Sequence, residues 1–190
     1  MTFDNSDELH KISRCFPSAK LLIRIHTDDT KALCRLNLKF GASLVAVPNL
    51  LAKAMELGLN VIGVSFHVGS GCFDSSAFSD AIRRSRSAFD MGREAGYEFS
   101  ILDIGGGFED ATFDATALTI SNAIDTHFPD RKETSLRIIA EPGRYFVSKA
   151  FSLATNVIAR RTPTSAEREA EKQENPDAPS VRCMFITPPG

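Results

Sequence analysis

Three apolar runs in this chain each end on a polar or glycine-rich mark, and that repetition constrains the fold more than any other feature. His67-Val68-Gly69-Ser70-Gly71 follows the run 61–66, Asp103-Ile104-Gly105-Gly106-Gly107 follows 99–102, and Glu141-Pro142-Gly143-Arg144 follows 136–140. From His67 to Gly105, and again from Gly105 to Glu141, the chain covers about the length of one strand and one helix. A repeated strand–helix unit with polar groups at each strand's C-terminal end is how a (β/α)8 barrel assembles a site. The predicted class is therefore α/β, with parallel strands covered on both faces.

The spacing predicts helices over 7–16, 48–57, 75–96 and 115–127, and strands over 20–25, 60–66, 99–104 and 136–140. Pro17 stops the first helix, Pro48 suits the first turn of the second, and Gly58 ends it. Leu50, Leu51, Ala54 and Leu57 share a face of the second helix. Phe78, Ile82, Ser85 and Phe89 share one on the third, and Ala117, Leu118, Ile120, Ile124 and Phe128 form the expected stripe of the fourth. Residues 146–159 are apolar enough for a helical turn followed by a long strand leaving the barrel. Residues 161–180 are charged and proline-bearing, the composition of a solvated, disordered linker. Residues 181–190 read as the stub of a further domain, which leaves 1–160 as the barrel portion.

At 190 residues and 43% apolar, the chain can bury one good core. A full barrel takes about 250 residues, so a partial one is expected. The formal net charge of −2 gives no electrostatic case for nucleic acid or an anionic membrane. No apolar run approaches the roughly 18 residues of a membrane span. Cys15, Cys34, Cys72 and Cys183 form no C-x-x-C pair, which suits reduced thiols in the cytoplasm, and no metal site is expected.

The strand-end groups suggest a phosphate and an aromatic ring. Glycines at 105, 106 and 107 let backbone N–H groups approach an anion, although a tight turn needing positive φ explains them as well. Glu141 can hold a pyridine nitrogen protonated, while Gly143 and Arg144 offer donors to phosphate; the plain alternative is a helix-start turn with a surface ion pair. His67 can lie flat on a planar ring and Ser70 can donate to phosphate. Arg24, a charge inside an apolar strand, is either a site residue or half of an ion pair at the barrel mouth. Cys72 reads as a buried thiol, not a nucleophile. Together these outline a pocket for pyridoxal 5'-phosphate.

The segments LLIRIHTDD (21–29), CRLNLKFGA (34–42), VIGVSFHVGSGC (61–72), LDIGGGFED (102–110) and RIIAEPGRYFVSKAF (137–151) resemble eukaryotic, fungal-type ornithine decarboxylases from Thr2 to about Arg161. The resemblance implies an alanine-racemase-type TIM barrel, of which this would be the later half, followed by a β-rich domain largely outside this chain. It implies a cytosolic homodimer that uses pyridoxal 5'-phosphate to convert ornithine to putrescine in polyamine biosynthesis. In that scheme His67 stacks on the cofactor ring, Ser70 binds phosphate, and Gly105–Gly107 with Glu141, Pro142, Gly143 and Arg144 complete the phosphate and ring-nitrogen contacts. Arg24 stands near the cofactor, and Asp4, Lys39 and Arg161 match dimer salt-bridge positions. His67 and Glu141 are the expected catalytic pair.

The family's Schiff-base lysine falls upstream of Met1, and its catalytic cysteine and substrate aspartates fall in the second domain, so inactivity of this chain alone is expected. Two other readings remain at this point. One is a regulatory pseudoenzyme like an antizyme inhibitor, which would bind antizyme; the other is a related decarboxylase of another basic amino acid.

Overall fold

The computed structural model describes residues 1–152, 154, 164, 165 and 169. It divides into two compact units, Met1–Ser148 and Lys149–Gly190. The expected strand within 146–159, the linker, the terminal stub, Arg161 and Cys183 lie largely or wholly outside the described residues.

The first unit is built on a parallel sheet whose strands alternate with helices. In chain order its elements are β1 (Thr2–Phe3), α1 (Ser6–Cys15), β2 (Lys20–Arg24), β3 (Ala32–Cys34), α2 (Val47–Glu56), β4 (Asn60–Ser65), β5 (Ser70–Cys72), α3 (Ser76–Glu94), β6 (Ile101–Asp103), α4 (Phe113–His127), β7 (Arg137–Ile139) and α5 (Gly143–Val147). The sheet order is β1-β2-β4-β6-β7, every pair parallel. Successive strands add at one side, as in a stretch of barrel wall. A second, two-stranded antiparallel ribbon pairs β3 with β5, setting Ala32 opposite Cys72 and Cys34 opposite Ser70.

Local chemistry explains the boundaries. The Asn5 side chain caps α1 by accepting the Glu8 amide at 2.9 Å. Pro48 stands in the first turn of α2, where no intrahelical donor is required. The centre of β4 is buried on both faces, since helices and neighbouring strands cover it. Leu21, Ile23, Val61, Val64 and Leu102 form the sheet's share of the core, and Leu9, Leu51, Phe78, Ile82 and Phe128 supply the helical layer. Phe78 sits between Phe66 and Phe108, with ring centroids 6.5 and 5.1 Å away.

The structure adds two features and corrects one expectation. β1 pairs with the strand at Lys20, so that strand is not the sheet's edge. Ser70-Gly71-Cys72, part of the glycine-rich mark after β4, is itself a paired strand. On α4, Ala117 and Leu118 face solvent, Leu118 with 63% of its surface exposed, and the buried stripe is Thr116, Ile120, Ala123 and Ile124. Leu118 precedes Ile120 by two positions, which on a helix is a different face. Among the described residues no helix is long and apolar enough to cross a membrane.

Candidate functional site

The C-terminal ends of β4, β6 and β7 converge on one cleft of about 140 Å³. His67, Ser70, Gly107, Glu141, Pro142, Gly143 and Arg144 line it, joined by Gly71, Phe108, Glu109 and Tyr145. Seven of the ten residues singled out from sequence thus share one wall-and-floor arrangement. Arg24, Gly105 and Gly106 do not line it.

Gly105 and Gly106 serve the cleft by holding its floor. Gly105 has φ +59, and a Cβ there would stand 2.0 Å from the Phe66 carbonyl oxygen. Its amide donates to the buried Asp103 carboxylate at 2.9 Å, and its carbonyl accepts the Glu141 amide at 2.7 Å. The residue therefore ties three strand ends together and has no amide to offer an anion. A Cβ on residue 106 would meet His67 Nε2 at 2.9 Å and the Glu141 carbonyl at 2.7 Å. Gly143 likewise turns its amide to the Glu141 carbonyl, at 2.8 Å. These two amides, expected as phosphate donors, are thus engaged within the chain. Ser70, Gly107 and the Arg144 guanidinium remain at the cleft, with Arg144 Nη2 3.7 Å from Cys34 Sγ on the adjacent ribbon.

His67 leaves β4 with its Nδ1 accepting the Gly69 amide at 3.0 Å. That bond makes Nε2 the protonated nitrogen of the neutral ring. Burial first, and then the Arg24 charge, push its pKa down to about 4, against a smaller opposing pull from Asp29. Near neutral pH the imidazole is therefore uncharged and presents an apolar face. Glu141 is displaced the other way: although the residue is exposed overall, partial burial of its carboxyl, then the buried Asp103 carboxylate, raise its pKa, while Arg24 opposes them. A carboxylate in that setting gains from a cation placed beside it.

Arg24 ends β2 opposite Ser65 and lies over the Phe40 ring at 5.0 Å. Its Nη2 is buried without a hydrogen-bond partner among the described residues. A buried guanidinium nitrogen in that state is costly until an acceptor reaches it. It does not line the cleft and acts on His67 and Glu141 through charge.

This donor set fits a phosphorylated pyridine: hydroxyl and guanidinium for the anion, a carboxylate for the ring nitrogen, an uncharged imidazole for the ring face. No lysine is among the cleft's lining residues. No cluster of metal-ligating side chains occurs among the described residues. Asp4 and Lys39 lie apart from the cleft lining; Asp4 accepts the Gly41 amide at 2.7 Å, and Lys39 is exposed.

Sequence reasoning passed over Thr27, Asp29 and Asn37, which form a polar network ending on the His67 carbonyl. Thr27 and Asp29 are buried, and the only available signal was a polar run directly after an apolar strand.

Comparison with known proteins agrees with this geometry. Residues 1–148 match the family model "Pyridoxal-dependent decarboxylase, pyridoxal binding domain". The chain is 56% identical to the ornithine decarboxylase of Schizosaccharomyces pombe over 186 residues, covering 98% of this chain and 42% of that protein. It is 49% identical to antizyme inhibitor 2 of Xenopus laevis over 92% of this chain and 39% of that one. Among solved structures, the arginine decarboxylase of Paramecium bursaria Chlorella virus superposes with a TM-score of 0.75 at 41% identity, covering 85% of this chain and 43% of that one. The chain thus spans about two-fifths of the length of these relatives.

Proposed function

Because this chain belongs to the pyridoxal-dependent decarboxylase family, as a homologue of ornithine decarboxylases matching the pyridoxal-binding domain, we propose that it is the cofactor-binding portion of an ornithine decarboxylase acting in the cytosol. Within that reading it forms the later half of a barrel whose remaining strands, and a β-rich second domain, would complete the enzyme as a homodimer. The observation that carries the proposal is the convergence of Ser70, Arg144, Glu141 and His67 on a single cleft.

Pyridoxal 5'-phosphate supplies an electron sink for the carbanion left when an amino acid loses CO₂. The residues here would hold and tune it. Arg144 and Ser70 bind the phosphate by charge-assisted and neutral hydrogen bonds. Glu141 would hold a proton at the pyridine nitrogen, and that cation would offset the partial burial which raises the carboxyl's own pKa. His67 covers the ring face as a neutral imidazole and excludes water from it. Asp103 acts one step back, fixing the Gly105 amide and adding negative potential near Glu141.

Ornithine as substrate rests on the 56% identity to the Schizosaccharomyces pombe enzyme. A regulatory reading, with antizyme as partner, rests on the Xenopus relative. Titration of the chain with pyridoxal 5'-phosphate and with pyridoxal separates the two. The enzyme reading expects clear preference for the phosphorylated form, lost in Arg144→Ala and mostly kept in Glu141→Ala. A folded chain that binds neither would favour the regulatory reading.

A further inference from the structure

The segment between β2 and α2 closes over the turn that carries His67, and it does so through buried polar groups. Thr27 is fully buried, and its hydroxyl donates to the His67 carbonyl at 3.0 Å. Asn37 reaches the same hydroxyl through Nδ2 at 3.4 Å, and its Oδ1 accepts the Thr27 amide at 3.5 Å. Asn37 is itself held by the buried Asp29, whose Oδ2 accepts the amides of Leu36 and Asn37 at 2.6 and 2.8 Å. The packing is equally close: a Cβ on Gly69 would stand 2.5 Å from Ala32 Cβ and 2.9 Å from the Cys34 carbonyl. The His67 backbone is thus gripped by residues that do not themselves line the cleft, two residues before the Gly69 amide engages its ring.

We infer that Thr27, braced by Asn37 and Asp29, is a positioning residue that fixes the orientation of the His67 imidazole at the cleft. The physical logic is a two-point hold. The bond to the His67 carbonyl fixes the backbone where the strand ends, and the Gly69 amide on Nδ1 fixes the ring relative to that backbone. With the first released, the turn 67–69 can rotate, and the second bond then fails. A part-buried carbonyl left without its donor adds a cost to this release. The inference rests on the reading of the cleft as a pyridoxal 5'-phosphate site for its functional consequence, but not for its structural content.

The test compares carbethoxylation of His67 by diethylpyrocarbonate, read by peptide mass spectrometry, in the full 190-residue chain without cofactor. The reagent attacks the unprotonated ring nitrogen, here the Nδ1 engaged by Gly69. Exposed His10 and His26 serve as internal references. Thr27→Val is expected to speed His67 modification about fivefold, the consequence of losing one ordinary buried hydrogen bond. Thr27→Ser, which keeps the hydroxyl, is expected to restore the slow rate. Asn37→Ala should act in the same direction and less. Ile124→Val, a core change on α4, should lower thermal stability without moving the His67 rate. In parallel, Thr27→Val should weaken pyridoxal 5'-phosphate binding about fivefold. Equal His67 rates in Thr27→Val and Ile124→Val would overturn the inference. A faster rate with unchanged cofactor affinity would overturn its link to the cofactor. A wild-type chain that binds no cofactor would sink the reading of the cleft instead, while the modification rates would still decide the positioning role.

Discussion

The Nε2 edge of His67 lies 2.9 Å from the point where a side chain on residue 106 would begin, so Gly106 is the surface on which the imidazole rests. Gly106→Ala should therefore displace the ring and press on the Glu141 carbonyl, with the overpacking cost of about 1–3 kcal/mol. Gly105→Ala should cost more, since its Cβ would meet backbone at 2.0 Å and its φ is positive. Gly143, whose Cβ would meet nothing within 4 Å, should accept alanine with little change in stability. Thermal melts of the three variants check the order. A Gly105→Ala variant as stable as Gly143→Ala would show that the strand-end packing is not as described.

The pH dependence of stability should carry two opposed contributions from the site. His67 has its folded pKa depressed from 6.5 to about 4, so the unfolded chain takes up its proton first as pH falls. Its contribution is complete above about pH 6.5, is lost as pH drops toward 4, and is flat below that. Glu141 has its folded pKa raised above 4.5, so the folded chain holds that proton longer, and stability from this group falls as pH rises through the window above 4.5. The two slopes partly cancel in the wild-type protein. His67→Gln should remove the acid-side loss, and Glu141→Gln should remove the loss on raising pH. Melting temperatures across pH 4–7 for both variants would separate the slopes, and parallel curves for wild type and His67→Gln would contradict the half-buried, neutral histidine.

Much of this arrangement was legible because it depends on runs long enough to show a pattern. The strands at Lys20, Asn60, Ile101 and Arg137 are apolar stretches closed by turn residues, and each appears in the sheet. β1 is two residues long, and its place in the sheet is set by pairing with Leu22 and Ile23, not by any periodicity of its own. The β3–β5 ribbon was hidden for a related reason: Ser70-Gly71-Cys72 has the composition of a turn and becomes a strand only because Ala32–Cys34 lies beside it. The site followed the same division. Residues with distinctive chemistry at strand ends, His67, Glu141 and Arg144, do line the cleft, whereas Gly105 and Gly106 differ from Gly107 only in what stands behind them. Thr27 and Asn37 could not be singled out, because a hydroxyl or amide becomes informative only when its partner across the fold is known.

Catalysis by this chain alone should fail for want of an amine at the cleft. Among the described residues no lysine lines the cleft, so noncovalent contacts are expected to hold the cofactor there. Purified chain with pyridoxal 5'-phosphate is expected to release no CO₂ from carboxyl-labelled ornithine above a no-protein control. Borohydride treatment of the mixture should leave no cofactor mass on a peptide from the cleft. Turnover, or a specific lysine adduct, would show that a residue outside the described cleft reaches it.

The sheet's two edges differ, and the difference predicts how the chain associates. At one edge β1 is only two residues long, and the Met1 amino group donates to the Lys20 carbonyl at 2.8 Å, so little pairing surface remains. At the other, the Arg137 amide donates to the Ser100 carbonyl at 2.8 Å and the Ile139 carbonyl accepts the Ile104 amide at 2.9 Å. Alternate residues of a parallel strand bond to the same neighbour, so the N–H and C=O of Ile138 point away from β6. Among the described residues no strand pairs with that side. Ile138 and Ile139 are also only half-buried, which leaves apolar surface next to unpaired backbone. Such an edge recruits another strand unless a barrel closes over it. The chain is therefore expected to self-associate with rising concentration in size-exclusion chromatography with light scattering. Ile138→Pro removes the one outward amide of β7 and should shift the profile toward monomer. A wild-type chain that stays monomeric at every concentration and melts in one cooperative transition would mean that this edge is covered within the chain itself.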